Sequence, residues 1–207
     1  MTVMLESIIL SIRHGSKTSP QKKNALIGSK RIKKMTSNQQ RCCRIGGENM
    51  AVVIKEGNVF DSDTDIICHQ VNCQGVMGSG VAKEVRERFP NVYEQYHELC
   101  ELHKNYTAGL LGTAQIVPVY GGRKELCIAN CFGQDKYGYG GAQYTSVGAL
   151  MEALIYVAEQ ARQFNWKVAM PYKIGCVRGG ADWDTVKKII DVTFQGVDVE
   201  LWKLEGN

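Results

Sequence analysis

Along residues 51–204 the apolar positions come first in short runs, then every third or fourth residue, and the two patterns alternate to the end. Residues 51–54 and 65–71 are short and β-branched, which predicts strands. Residues 80–89 carry Ala82, Val85 and Phe89 at helical spacing, and Pro90 ends that helix before a second over 93–102. Residues 113–120 and 126–131 predict two more strands joined by a turn at Gly121-Gly122. The clearest helix covers residues 145–164, where Val147, Leu150, Leu154, Val157, Ala161 and Phe164 form a stripe. A short strand at 168–171 precedes a helix at 183–194, capped by Asp182, with Trp183, Val186, Ile190 and Phe194 on its inner face. Residues 197–204 predict a closing strand. This alternation predicts an α/β protein, a three-layer α/β/α sandwich whose sheet is covered on most of both faces.

At 207 residues with 44% hydrophobic content, the chain has material for one good-sized core. Its net charge of +4 hides an asymmetry. Residues 1–49 hold ten Lys/Arg against two Glu, +8, and the remainder is −4. Those first 49 residues keep no sustained period and are rich in Ser, Lys, Asn, Gln and Gly, as a solvated, disordered segment is. Three readings of the segment stand open: a transit peptide, a nucleic-acid-seeking arm, or an extension upstream of a natural start at Met50. The globular domain is accordingly placed at residues 50–207. Any nucleic-acid partner would act through the basic tail. Residues 1–12 are apolar but interrupted by Glu6 and lack a basic lead, so no secretory signal is expected. No stretch approaches the roughly 18 apolar residues of a membrane span. A cytoplasmic protein without a membrane partner is expected. Eight cysteines include no C-x-x-C pair. Cys127 and Cys131 would lie about 13 Å apart at ~3.3 Å per residue of strand, too far to share one zinc. Free thiols and no metal are the expectation.

The stretch NCQGVMGSGVAKEV, residues 72–85, carries three glycines between a strand and a helix. Gly75, Gly78 and Gly80 let another body approach the backbone, and the helix N-terminus beyond them favours an anion, most naturally a phosphate. The order G-x-x-G-x-G is neither a P-loop, since Val81 and Ala82 stand where Lys and Ser/Thr would follow, nor a dinucleotide fingerprint. A tight turn that needs glycine for geometry alone is the competing reading. A second such loop, residues 173–180, follows the strand that ends at Pro171 and runs into the helix capped by Asp182. Two glycine-bearing loops at one sheet edge can enclose a diphosphate between them.

Residues 72–82, then Phe89-Pro90 and Tyr93, residues 130–134, and Pro171 through Ile174-Gly175-Cys176 to Asp182-Trp183 resemble a macro domain in order and spacing. The resemblance spans residues 51–204. It is nearest to the branch holding terminal ADP-ribose glycohydrolases, DNA-deribosylating antitoxins and ADP-ribose-1''-phosphate phosphatases. It implies a mixed central sheet, ADP-ribose as ligand or substrate without a further cofactor, and ADP-ribose or an ADP-ribosylated macromolecule as partner. By position, the first loop (Gly75, Val76, Met77, Gly78, Ser79, Gly80, Val81) and the second (Ile174, Gly175, Cys176, Val177, Arg178, Gly179, Gly180) would hold the diphosphate and distal ribose. Asn72 would bind that ribose, or else form a turn at the strand end. Asn58, with Val59 beside it, stands where macro domains commonly carry an Asp that accepts from the adenine amine, and Trp202 would wall the adenine or fill the core.

Two departures bear on chemistry. The lysine of the lysine-dependent glycohydrolases falls on Gln134, and their catalytic aspartate on Gly179. A glutamine does not attack a sugar carbon as an amine does. Lys136 would substitute only if its loop rearranged. Candidates for catalytic roles are then Asn72, His69, Asp182 and Gln134, although Asp182 also reads as a helix cap and His69 as a satisfied strand histidine. Three functions follow: a hydrolase that positions water without a protein nucleophile, a module that binds ADP-ribose without turnover, and a nucleic-acid-associated protein that depends on its tail.

Overall fold

The computed structural model describes residues 52–119, 125–138 and 140–204. The basic segment and the Gly121-Gly122 turn lie outside them. Six strands and four helices alternate: β1 (Val52–Glu56), β2 (Ile66–Asn72), α1 (Gly80–Arg88), α2 (Pro90–Leu102), β3 (Ala114–Val119), β4 (Leu126–Gln134), α3 (Val147–Phe164), β5 (Val168–Pro171), α4 (Trp183–Thr193) and β6 (Val199–Lys203). Short 3-10 turns at Val59–Asp61 and Thr107–Gly109 add to what periodicity predicts. The strands form one mixed sheet in the order β1-β6-β5-β2-β4-β3, parallel except for β3, which runs antiparallel to β4 at the edge.

Each face of the sheet has its own core because strand side chains alternate. Ile66 and Cys68 of β2 join Ala129 and Cys131 of β4 under α3 and α4. Ile67 and Val71 join Ile128 and Phe132 under α1 and α2. β2 lies in the middle, with six of its seven residues buried. Burying one such aliphatic side chain contributes about 1.5–3 kcal/mol, so the continuous apolar runs are what fix β2 and β4 at the centre. In α3 the stripe predicted from spacing is buried from Leu150 to Ala161, but Phe164 is left largely exposed and stacks on Trp166 instead. Ser146 caps the helix through Ala149 N–H, one residue inside the predicted start. Pro90 does not separate the first two helices from outside. It is the first residue of α2, where its missing N–H is no loss.

β2 and β5 are parallel neighbours, so the loops at their carboxyl ends leave the same edge of the sheet side by side. β4 runs three residues further than its apolar pattern, to Gln134. Its pairing with β2 skips Gly133, Val71 facing Phe132 and Asn72 facing Gln134. This bulge turns Gln134 towards the two loops.

Candidate functional site

The first loop is wound around Asn72. Its Oδ1 accepts from Gln74 N (2.9 Å), Val76 N (3.3 Å) and the Tyr96 hydroxyl (3.1 Å), and its Nδ2 donates to Val76 O (2.6 Å). The turn-forming reading of Asn72 therefore describes its side chain, and one hydrogen of its Nδ2 has no acceptor among the described residues. Gly75 takes φ 73°, and a Cβ there would lie 2.8 Å from His97 Nδ1, so this glycine serves packing against α2. Beyond it, Ser79 stands at the N-cap of α1 without a side-chain capping bond, and the first turn contains no acidic residue. The N–H groups of Gly80, Val81 and Ala82 have no protein acceptor among the described residues. That is a helix end open to an anion.

The second loop is held from beneath by a chain of polar side chains. Gln134 Nε2 donates to Lys136 O (3.2 Å), Gln70 Nε2 donates to Gln134 Oε1 (2.6 Å) and Thr145 Oγ1 (2.8 Å), and Thr145 Oγ1 donates to Gly175 O (2.7 Å). Tyr144 N and Thr145 N both donate to Gly179 O. The N–H groups of Gly175, Val177 and Gly179 are left without a protein acceptor among the described residues. At Gly179 a Cβ would fall 1.8 Å from Thr145 Oγ1 and 2.4 Å from Gly175 O. The position on which the family's aspartate falls is thus filled by Thr145, and a carboxylate has no room there.

Between the loops lies a cleft of about 590 Å³, within the size range of small-molecule sites. Of the residues expected to bind, Asn58, Val59, Asn72, Val76, Gly78, Ser79, Gly80, Val81, Ile174, Gly175, Val177, Arg178, Gly179 and Trp202 line it. Gly75, Met77, Cys176 and Gly180 do not. Met77 is buried in the core, Cys176 Sγ is 3.4 Å from Ile174 O, and Gly180 packs on the backbone of Gln143. Sequence reasoning missed Gln70, Glu84, Tyr137, Tyr172 and Lys173, all of which line the cleft. Lys173 carried no glycine-like signal, although it takes φ 59°. For Glu84 a signal existed, because it lies one turn past Gly80 on α1. Trp202 combines both expected roles: it lines the cleft and packs against the α1/α2 core, its Nε1 donating to Glu200. Lys173, Arg178 and Lys203 give the lining an excess of positive charge over Glu84.

The catalytic candidates divide. His69 and Gln134 line the cleft, whereas Asp182 and Lys136 do not. Asp182 is the N-cap of α4, accepting from Thr185 N (2.8 Å) and Thr185 Oγ1 (2.7 Å). These bonds hold its carboxyl below the usual range. His69 is buried, its Nε2 2.7 Å from Asn130 Oδ1 and its Nδ1 without a partner among the described residues. Burial lowers its pKa from 6.5 to about 4 against the opposing effect of Asn130, so the ring is neutral at pH 7. Burial pushes the Cys73 thiol up to about 12 and the Cys176 thiol to about 11, which removes both as thiolate nucleophiles at neutral pH. The six cysteines among the described residues are free, and no three His, Cys, Asp or Glu side chains gather there into a metal site. No described helix is long and apolar enough to cross a membrane. The cleft can therefore grip an anion with backbone N–H groups from both sides and place a ring against Trp202. Where the lysine-dependent glycohydrolases carry their amine it has Gln134, and its lysines, Lys173 and Lys203, come from the second loop and the end of β6.

Residues 68–190 match the family model described as Macro domain. An ADP-ribose 1''-phosphate phosphatase of Meyerozyma guilliermondii is 32% identical over 93 residues, 40% of this chain and 53% of that protein. A DNA ADP-ribosyl glycohydrolase of Mycobacterium tuberculosis is 27% identical over 139 residues, 67% of this chain and 37% of that protein. The chain thus spans about half or less of the length of these curated relatives. Among solved structures, the macrodomain of Mycobacterium tuberculosis DarG superposes with a TM-score of 0.62 at 24% identity, covering 73% of this chain and 97% of that chain. Thermosipho africanus DarTG in complex with ADP-ribose gives a TM-score of 0.61 at 18% identity, over 76% of this chain and 43% of that one. At these identities the likeness to solved structures is one of fold.

Proposed function

This chain belongs to the macro domain family, and from that premise we propose that it binds ADP-ribose in the cleft and hydrolyses a bond at the distal ribose by positioned water. The observation that carries the reading is the convergence of two sets of N–H groups without a protein acceptor among the described residues, those of Gly80, Val81 and Ala82 and those of Gly175, Val177 and Gly179, on one cleft that has Trp202 in its lining. Such arrays suit a diphosphate, and an aromatic wall suits a purine. Relatives named for phosphatase and glycohydrolase activity on ADP-ribose compounds support hydrolysis.

Neither route needs a protein nucleophile. With a 1''-phosphate, water attacks phosphorus, the bond to the ribose oxygen breaks, and that oxygen takes a proton. With an ADP-ribosylated macromolecule, water adds at the anomeric carbon and the modified group leaves with a proton. Orientation of water and substrate supplies the rate in both. Gln134, fixed by Gln70 at the end of β4, lines the cleft, and in this reading its amide orients water, since it has no amine to attack with. Binding without turnover is the second reading, and the filling of position 179 by Thr145 favours it.

Calorimetry of the full chain with ADP-ribose, AMP and ribose 5-phosphate tests binding. Micromolar affinity for ADP-ribose, about −8 kcal/mol, with weak binding of both halves is expected. Absence of heat with all three would sink the reading. Release of phosphate from ADP-ribose 1''-phosphate, or of ADP-ribose from modified DNA or protein, then separates a hydrolase from a binding module.

A further inference from the structure

The end of the cleft near Trp202 contains a carboxylate, and its surroundings bear on which purine it takes. Glu84 lies on α1 four residues after Gly80, so both occupy the cleft side of the helix. Asn58 faces it. Asn58 Oδ1 accepts from Phe60 N (3.1 Å) and so caps the 3-10 turn, while its Nδ2 donates to Glu84 Oε2 (3.0 Å). One lone pair of Asn58 Oδ1 is therefore engaged by the turn, and its Nδ2 is directed at the glutamate rather than at the cleft. Arg88 Nη2 lies 3.4 Å from the same Oε2, and its guanidinium is itself placed over the Phe60 ring, 4.9 Å from the centroid. Two donors thus hold one oxygen of Glu84. The other, Oε1, has no partner among the described residues. Val59, which also lines this end, has an N–H without a protein acceptor among the described residues.

We propose that Glu84, held by Asn58 and Arg88, is the residue that reads the base, accepting from an exocyclic amine while Val59 N–H donates to the neighbouring ring nitrogen. The assignment rests on the ADP-ribose reading above and moves base recognition from the position that the sequence suggested, Asn58, to α1. An ionised carboxylate only accepts. An edge that offers an amine beside an unprotonated ring nitrogen, as adenine does, complements this pair. Hypoxanthine, with a carbonyl beside an N–H, presents the reverse pattern and opposes an oxygen to an oxygen. A site built for a donor rejects an analogue that lacks it far more strongly than an apolar pocket does.

The test is calorimetry of the full chain with ADP-ribose and inosine diphosphate ribose, on wild type, Glu84→Gln and Asn58→Ala, each variant first checked by thermal melt. Wild type is expected to prefer ADP-ribose by at least about tenfold, the scale of a hydrogen bond to a charged group. Glu84→Gln can turn either its oxygen or its N–H to the base, so its preference falls to within about threefold. Asn58→Ala binds both ligands more weakly but keeps the preference, because the carboxylate is still present. A wild-type ratio near one overturns the assignment without recourse to any variant. Collapse of the ratio in Asn58→Ala with its survival in Glu84→Gln overturns it in favour of Asn58. Failure of wild type to bind either ligand refutes the ADP-ribose reading itself, and the assignment falls with it.

Discussion

Replacing Gly179 by alanine puts a methyl group where Thr145 already stands. The new Cβ would lie 1.8 Å from Thr145 Oγ1 and 2.4 Å from the Gly175 carbonyl. The second contact is with backbone, so a rotamer change of Thr145 alone does not relieve the clash. Turning the hydroxyl away gives up its bonds to Gly175 O and from Gln70 Nε2, about 1 kcal/mol each. Displacing the loop backbone adds the cost of overpacking, about 1–3 kcal/mol. The sum is about 3–5 kcal/mol, or roughly 10 °C in Tm at about 2–4 °C per kcal/mol for a domain of this size. Thermal melts followed by circular dichroism, with urea titrations beside them, measure it. Gly148→Ala is the control: nothing lies within 4 Å of its Cβ position and it sits in α3, so it should be neutral or stabilising by up to about 1 kcal/mol. Adding Thr145→Ala to Gly179→Ala recovers only part of the loss, since the Gly175 carbonyl still obstructs. A Gly179→Ala protein melting within about 2 °C of wild type would show that the loop yields freely, and the steric case against an aspartate at this position would fall.

Two further outcomes follow from titratable groups. His69 is held neutral by burial, its pKa lowered from 6.5 to about 4, so between those values the unfolded chain binds a proton that the folded one refuses. Stability is therefore full above pH 6.5 and declines towards pH 4 by up to about 3 kcal/mol; in urea titrations at pH 7 and pH 4.5 wild type should lose more than His69→Gln, and equal losses would contradict the assignment. Asp182→Ala removes the cap of α4 and should lower Tm by about 2–4 °C while leaving the kcat of any ADP-ribosyl hydrolysis unchanged, whereas a drop beyond tenfold would place Asp182 in the chemistry.

The fold was legible wherever burial imposes a period. β2, α3 and α4 are read within one or two residues from their apolar positions, and the two glycine loops from the residue types that their backbones require. The site was less legible because its polar contacts join residues distant in sequence and follow no period. Gln70, Gln134 and Thr145 meet only because a bulge at Gly133 turns the end of β4, and nothing apolar marks that bulge. His69 and Asn130 pair across adjacent strands, 61 residues apart. Asn72 and Asn58 were identified as polar residues of the cleft, but what each side chain bonds depends on its neighbours. One is taken up by its own loop and the other by a turn and Glu84. The resemblance put the family's lysine position on Gln134 and its aspartate position on Gly179, and the structure adds that the second has no room for a side chain.

Among the described residues β1 is an edge strand that pairs with β6 alone, and four of its five residues are exposed. Lys55 and Glu200, which bridge the two strands, are 145 residues apart. On a ribosome adding about 5–20 residues per second, β1 waits roughly 7–30 s for its partner. Trp202 arrives with that same strand, and the place of Gly57 beside its ring is set only then. The cleft is thus completed from the glycine loops outward to Trp202, and a nascent chain holding both glycine loops still lacks that wall. The full lining of the cleft exists only once the last of the described strands has docked.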